Sequence, residues 1–246
     1  MKLYKSILAY DGTDFHGFQR QQETVRTVQG ELEAGLSKIG WQGESILAAG
    51  RTDSGVHARG QVVAFQMTWN HGRDVLQRAL NASLPSDMAV SSIEDAADDF
   101  HPRFSATSRL YRYSLLVAPL REPLRERYAW RIWPRLAMDD LNQIGAEFMG
   151  RHDFGAFGTA PIEGGHTRRQ ITELHWSADG DDQWVDIRAD AFLYHMVRRM
   201  VGAMLEVAYG KRDLAQLQAS IANPNQRWES GLAPARGLCL EEVGYD

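Results

Sequence analysis

Asp53 stands in the run Ala48-Ala49-Gly50-Arg51-Thr52-Asp53-Ser54-Gly55-Val56-His57-Ala58-Arg59-Gly60-Gln61-Val62, a lone carboxylate among glycines, two arginines and a histidine. The apolar stretch from Ile46 to Ala49 and the run Val62-Val63-Ala64-Phe65-Gln66-Met67 both read as strands, so the charged residues between them occupy a tight connection. Such loops, held by rigid strands, are where binding and catalytic groups concentrate. Gly50 and Gly55 allow positive φ or close approach to a ligand, and Gly60 does the same at the return into the sheet. A carboxylate in that position can act as a nucleophile or as its electrostatic equivalent. The plainer reading makes Asp53 a turn cap that pairs with Arg51 or Arg59.

Two further candidates lie later in the chain. Residues 193–209 carry a helical stripe of Leu193, Val197, Met200, Val201, Met204, Leu205 and Ala208, with Arg198 at the edge of that face. An arginine there is partly buried, or else snorkels to solvent. Tyr111 alternates with Tyr113 along a strand that continues through Leu115 and Val117, a pattern whose default is core packing with the hydroxyls at the rim.

The elements that must position these residues fall into two similar series. The first has a strand over 3–10, a helix marked by Val28, Leu32, Leu36 and Ile39, and a helix over 74–84 that Pro85 ends. From about residue 106 come the tyrosine strand, a helix over 138–149, strands over 167–176 and 183–190, and the helix carrying Arg198. The pattern predicts an α+β protein in two parts, an N-terminal one over 1–105 and a C-terminal one over 106–246.

The string around Asp53 closely resembles the signature of the TruA family of tRNA pseudouridine synthases. Four other blocks resemble that family in the same order. They are Tyr10-Asp11-Gly12-Thr13-Asp14-Phe15-His16-Gly17-Phe18-Gln19-Arg20-Gln21 followed by Thr27-Val28-Gln29, then Arg109-Leu110-Tyr111-Arg112-Tyr113, then Phe192 to Gly202, then Ala233-Pro234-Ala235-Arg236-Gly237-Leu238. Phe18 stands where the family commonly has a tryptophan. The resemblance implies two ferredoxin-like, split βαβ subdomains whose antiparallel sheets join around a central catalytic cleft.

It also implies a reaction: isomerisation of uridine to pseudouridine at positions 38, 39 and 40 of the tRNA anticodon arm. The carbon–nitrogen bond at C1′ breaks, uracil turns and rejoins through C5, and the C5 proton leaves, all after the nucleotide is flipped out of its stack. On this reading Asp53 attacks C1′ or C6, or assists formation of a glycal. Arg198 pairs with it, since desolvation drives a carboxylate towards its neutral form and a guanidinium keeps it ionised. Tyr111 packs on the uracil and is the candidate for proton transfer at C5. Arg51, His57, Arg59 and Leu238 are expected to bind substrate, Arg51 filling the gap left by the base or holding its phosphate. For His57, bonding a loop carbonyl is the plainer alternative. No redox step is involved and no cofactor is expected; the sequence carries no dinucleotide fingerprint, P-loop or zinc-type spacing. The resemblance implies a homodimer in which one tRNA touches both subunits.

Composition fits this reading. Cys239 is the single cysteine, which excludes an internal disulfide and suggests a reducing compartment; there is no leader-like or membrane-length apolar run, and a cytoplasmic protein is expected. Net charge is −5, yet residues 101–135 hold eight arginines and two glutamates, a local +6 suited to phosphate contact. The acidic runs 94–99 and 179–182 read as solvated faces or turns. Two rival classes are weaker. A metal-dependent hydrolase using Asp53 with His57, or His152 and Asp153, lacks ligand spacing, and a purely RNA-binding module has no use for an Asp–Arg pair.

Overall fold

The computed structural model describes residues 1–22, 25–162, 164–229 and 231–245. In chain order it has β1 (Lys2–Tyr10), α1 (Val28–Lys38), β2 (Leu47–Ala48), β3 (His57–Met67), α2 (Arg73–Ser83), β4 (Met88–Asp95), β5 (Ser108–Val117), β6 (Trp130–Ile132), α3 (Met138–Ala146), β7 (Gly150–Asp153), β8 (Arg168–Asp179), β9 (Asp182–Ala189), α4 (Met196–Ala208), α5 (Leu214–Ala222) and β10 (Leu238–Gly244). They form two compact units, Met1–Thr107 with Cys239–Asp246, and Ser108–Leu238. The expected second part runs on to the chain's end, whereas Cys239–Asp246 contacts the first unit, because Cys239 and Leu240 pair in parallel with His57 and Ala58 of β3.

In the first unit β3 is central, antiparallel to β1 from Lys2↔Met67 to Tyr10↔Ala58, and β4 lies on the far side of β1. On the other edge of β3, β2 pairs at Val63 and Ala64 and β10 at His57 and Ala58. The sheet is therefore not wholly antiparallel. Its alternating face on β1, through Tyr4, Ser6, Leu8 and Tyr10, is buried, as are Leu32 and Leu36 of α1 and Leu76 and Leu80 of α2. Thr27 caps α1, its hydroxyl accepting the Gly30 N–H at 3.3 Å. Pro85 follows the end of α2, as expected.

The second unit orders its strands β6-β5-β9-β8-β7, with β5–β9, β9–β8 and β8–β7 antiparallel and β5–β6 parallel. The parallel pair needs a crossover, which residues 118–129 provide. Here α3 and α4 bury Trp176, whose indole N–H points at the Met204 sulfur (3.4 Å), while the Asn142 side chain brackets the Trp176 backbone. The helix expected over 193–209 begins only at Met196: His195 adopts a left-handed backbone (φ 65°), and Tyr194 before it exchanges backbone bonds with Thr159. Likewise α3 ends at Ala146 rather than 149.

Candidate active site

In the first unit Asp53 lies in the turn between β2 and β3, half-buried, with Val56 N–H closing the turn onto the Asp53 carbonyl at 3.1 Å. Gly55 takes φ 77°, the left-handed conformation that the turn requires. The rest of the loop is held from one side by the segment after β1. The Phe15 carbonyl accepts from Ser54 Oγ (3.2 Å) and Gly55 N–H (3.3 Å), the Phe18 N–H donates to the Thr52 carbonyl (3.0 Å), and Tyr10 OH bonds Thr52 Oγ1 (2.8 Å). Burial raises the Tyr10 phenol well above its usual range, so it stays a neutral partner. A side chain at Gly12 would sit 2.0 Å from the Val56 carbonyl oxygen, so only glycine fits there. From the sheet side, the Gln61 amide donates to the Gly50 carbonyl at 3.1 Å.

The two N-terminal motif blocks thus form one body. Val28 and Gln29 N–H groups donate to the Gly17 and Phe18 carbonyls, and the Gln29 side chain accepts the Arg20 N–H at 3.0 Å. Buried Glu33 is satisfied by Arg20 (2.6 Å), the Gln29 amide (2.8 Å) and the Ile46 N–H (3.1 Å). Arg26 completes the clamp: its guanidinium lies 4.2 Å from the Phe15 ring centroid, forks onto Asp87 at 2.7 and 2.9 Å, and reaches Glu31 at 3.0 Å. Hydrogen bonds from Arg26 hold the Asp87 carboxyl below its usual range. Nothing in the sequence singles out Arg26 and Asp87, which lie 61 residues apart.

The remaining first-unit candidates part company. His57 and Arg59 belong to β3, which starts five residues before the expected Val62. His57 is only 7% exposed; its Nδ1 accepts the Gly12 N–H at 3.0 Å, with the Asp11 carboxylate 3.2 Å away. That is the geometry of a residue that holds the loop's support. Arg59 is exposed and engages Glu241 of β10 at 3.1 Å. Arg51 is exposed and makes no ion pair among the described residues. Cys239 is a neutral thiol, burial pushing it up to about 12.

In the second unit three motif blocks meet. Tyr111 is half-buried on β5, opposite Ile187, with the Phe192 ring edge-on at 5.1 Å and 88°. Tyr113 is fully buried, as expected of a core residue, and donates its hydroxyl to the Pro234 carbonyl at 2.8 Å. Its ring lies where a side chain on Gly237 would be, 2.7 Å from that position, which explains the glycine. Arg198 is half-buried; its Nε donates to the Ala233 carbonyl at 2.7 Å, while the Ala233 N–H donates back to the Arg198 carbonyl at 3.3 Å. One edge of the guanidinium is fixed in this way. Leu238 is buried at the end of the 3₁₀ turn Ala235–Gly237.

The arginine-rich stretch is laced with acids. Arg112 forks onto Asp186, Arg125 bonds Glu122 and Asp182, Arg121 and Arg131 flank Glu126, and Arg135 reaches Asp181. Asp181 and Asp182 come from the tight β8–β9 turn, where Gly180 has φ 53°.

A tRNA pseudouridine synthase family model matches residues 7–105 and 144–246. The chain belongs to the tRNA pseudouridine synthase family. It is therefore an isomerase acting on tRNA, and the resemblance read from the five blocks is borne out. The matched stretches include Asp53 and Arg198, while Tyr111 falls between them. Over its whole length the chain is 39% identical to tRNA pseudouridine synthase A of Brevibacillus brevis, covering all of that relative. It is 38% identical to the enzymes of the same name from Moorella thermoacetica, covering 100% of it, and Chloroflexus aurantiacus, covering 89% of it. Among the described residues no three His, Cys, Asp or Glu side chains gather as a metal-ligand set, and no helix is long and apolar enough to cross a membrane.

Proposed function

We propose that this synthase converts uridines 38, 39 and 40 of the tRNA anticodon arm to pseudouridine, with Asp53 as the reacting carboxylate. The observation that supports the assignment is the support of the Asp53 turn: four contacts from Tyr10, Phe15 and Phe18 hold Thr52, Ser54 and Gly55 on both sides of a half-buried carboxylate. Catalysis needs a group whose position costs nothing further at the moment of reaction. Arg198 supplies the positive charge that keeps Asp53 ionised, and its bond to the Ala233 carbonyl sets the plane of that charge. Tyr111, braced by Phe192, packs on the flipped uracil and handles the C5 proton.

Asp53 attacks C1′ or C6 of the target nucleoside, or assists departure of uracil to a glycal; in each route the same atoms return as the carbon-linked isomer. Arg51 holds phosphate or fills the gap of the flipped base, Leu238 lines the base pocket, and His57 and Arg59 support the RNA path from β3. The protein works in the cytoplasm as a homodimer whose two subunits share one tRNA. The test is incubation with an unmodified tRNA transcript bearing uridines at 38–40, followed by pseudouridine mapping. Formation at those positions, lost in Asp53→Asn, supports the reading. Modification elsewhere, or activity that survives the substitution, overturns it.

A further inference from the structure

Arg199 follows Arg198 on α4, points a quarter-turn away from it, and has no role in the isomerisation as described. Its Nη1 is buried and has no hydrogen-bond partner. Arg227 is exposed beside it, carried by a loop that its neighbour Trp228 pins to the unit: the Trp228 N–H donates to the Ala156 carbonyl (3.2 Å) and its indole N–H to Glu206 of α4 (3.1 Å). Burial makes Arg199 hold its proton less tightly than usual, and Arg227 and Arg198 push in the same direction, so three cations share this corner. Glu206 is the acid of α4, and it is already engaged by Trp228 and by Arg212 at 3.6 Å. Among the described residues no carboxylate pairs with Arg199 or Arg227.

A buried cationic N–H next to like charges is a costly arrangement, relieved when an anion arrives. Guanidinium forks match phosphate oxygens in shape as well as charge. We propose that Arg199 and Arg227 form a phosphate-binding site that grips the RNA backbone beside the nucleotide undergoing isomerisation. This rests on the tRNA reading above, since Arg198 on the preceding helix position then faces the reacting nucleotide. The site needs nothing from the arginine-rich 101–135 stretch.

The test uses the full chain with Arg199→Gln and Arg227→Gln, an unmodified tRNA transcript and, separately, inorganic phosphate. For each variant the tRNA Kd is expected to rise about three- to tenfold, and the slope of log Kd against log salt to fall by about 0.7–0.9 for the lost contact. Without tRNA, Arg199→Gln melts at or above the wild-type temperature, because an unpaired cation has been removed. Inorganic phosphate raises the wild-type melting temperature more than that of the variant. Wild-type affinity and salt slope in both variants would overturn the site. Should Arg199→Gln melt early, Arg227→Gln decides: an unchanged slope in that exposed variant also overturns it. Failure of the functional reading is distinguishable, because then the wild type makes no pseudouridine while the phosphate effect on melting persists.

Discussion

The Asp53 turn and the arginine-rich 101–135 stretch are the two most conspicuous runs of this chain, and the structure holds them by opposite means. The aspartate turn is fixed by hydrogen bonds to the Phe15 carbonyl and the Phe18 N–H, by the Gln61 amide on the Gly50 carbonyl and by a fitted glycine. The arginine stretch spends its charges internally, on Glu122, Glu126, Asp181, Asp182 and Asp186. Neutral backbone bonding gives position, and ion pairing consumes the very charge that a window count credits to RNA contact. A local +6 in sequence is therefore a poor measure of the field at a surface, since its counter-charges arrive from a different strand pair.

The largest test of the contrast is Asp53→Asn, which keeps the turn's shape and removes its charge. Turnover is expected to fall by about a thousandfold or more, with tRNA binding retained, measured as single-turnover pseudouridine formation. Wild-type rates would mean that the held backbone serves some other residue. Next in size is Arg198→Leu, expected to cost about a hundredfold or more in turnover, with Arg198→Lys between it and the wild type because charge survives while the guanidinium Nε bond to the Ala233 carbonyl does not. Equal losses in the Leu and Lys variants would show that geometry alone matters there.

Gly12→Ala sharpens the claim that position comes from the backbone. A methyl 2.0 Å from the Val56 carbonyl must displace the turn, so turnover is expected to drop at least about tenfold, with stability lower by about 1–3 kcal/mol in a denaturant titration. Arg26→Ala removes the clamp over Phe15 and should destabilise by about 1–2 kcal/mol at neutral pH. Because Asp87 titrates below its ordinary value in the folded protein, the stability from this pair is present above pH ~4 and fades as pH falls below it. The melting gap between Arg26→Ala and wild type should narrow on acidification. A gap that widens would place the stabilisation elsewhere.

The smallest expected effect is the salt response of Arg125→Glu. With Arg125 already bonded to Glu122 and Asp182, reversal should leave the salt slope of tRNA binding almost unchanged, whereas Arg51→Glu should lower it by about one contact. The reverse ranking would restore the arginine stretch as the RNA path.

What the sequence makes legible follows from the range of the interactions. Alternation reveals β1, β5, β8 and β9, and apolar stripes reveal α1 and α2, since these patterns are local. His57 to Gln61 hide in β3 because Arg59 and Gly60 break the apolar run, although His57, Ala58 and Gly60 are buried. The late start of α4 is invisible because a left-handed His195 has no residue-type signal. By contrast, α5 announces itself: Asp213 and Gln216 form a capping box whose three-residue spacing is readable from the sequence. Asp53, Tyr111 and Arg198 stand out by motif, yet what braces them does not. The Phe15–Arg26–Asp87 clamp and the Arg198–Ala233 bond join residues tens of positions apart, and no periodicity records such pairs.

The parallel pairing of β10 with His57 and Ala58 also has a temporal meaning. As the chain leaves the ribosome, β1 and β3 can zip together once about seventy residues are out, and the Asp53 turn can take shape between early neighbours. The edge of β3 beside that turn stays open until residues 238–244 are made, about 170 residues later. A strand edge left waiting that long invites wrong partners, and here the late arrival pairs only His57 and Ala58, while the early β2 pairs Val63 and Ala64 further along the same edge. Full assembly of the scaffold around Asp53 is thus tied to the synthesis of residues 238–244, so a nascent chain that stops short of them carries the aspartate turn without its finished support.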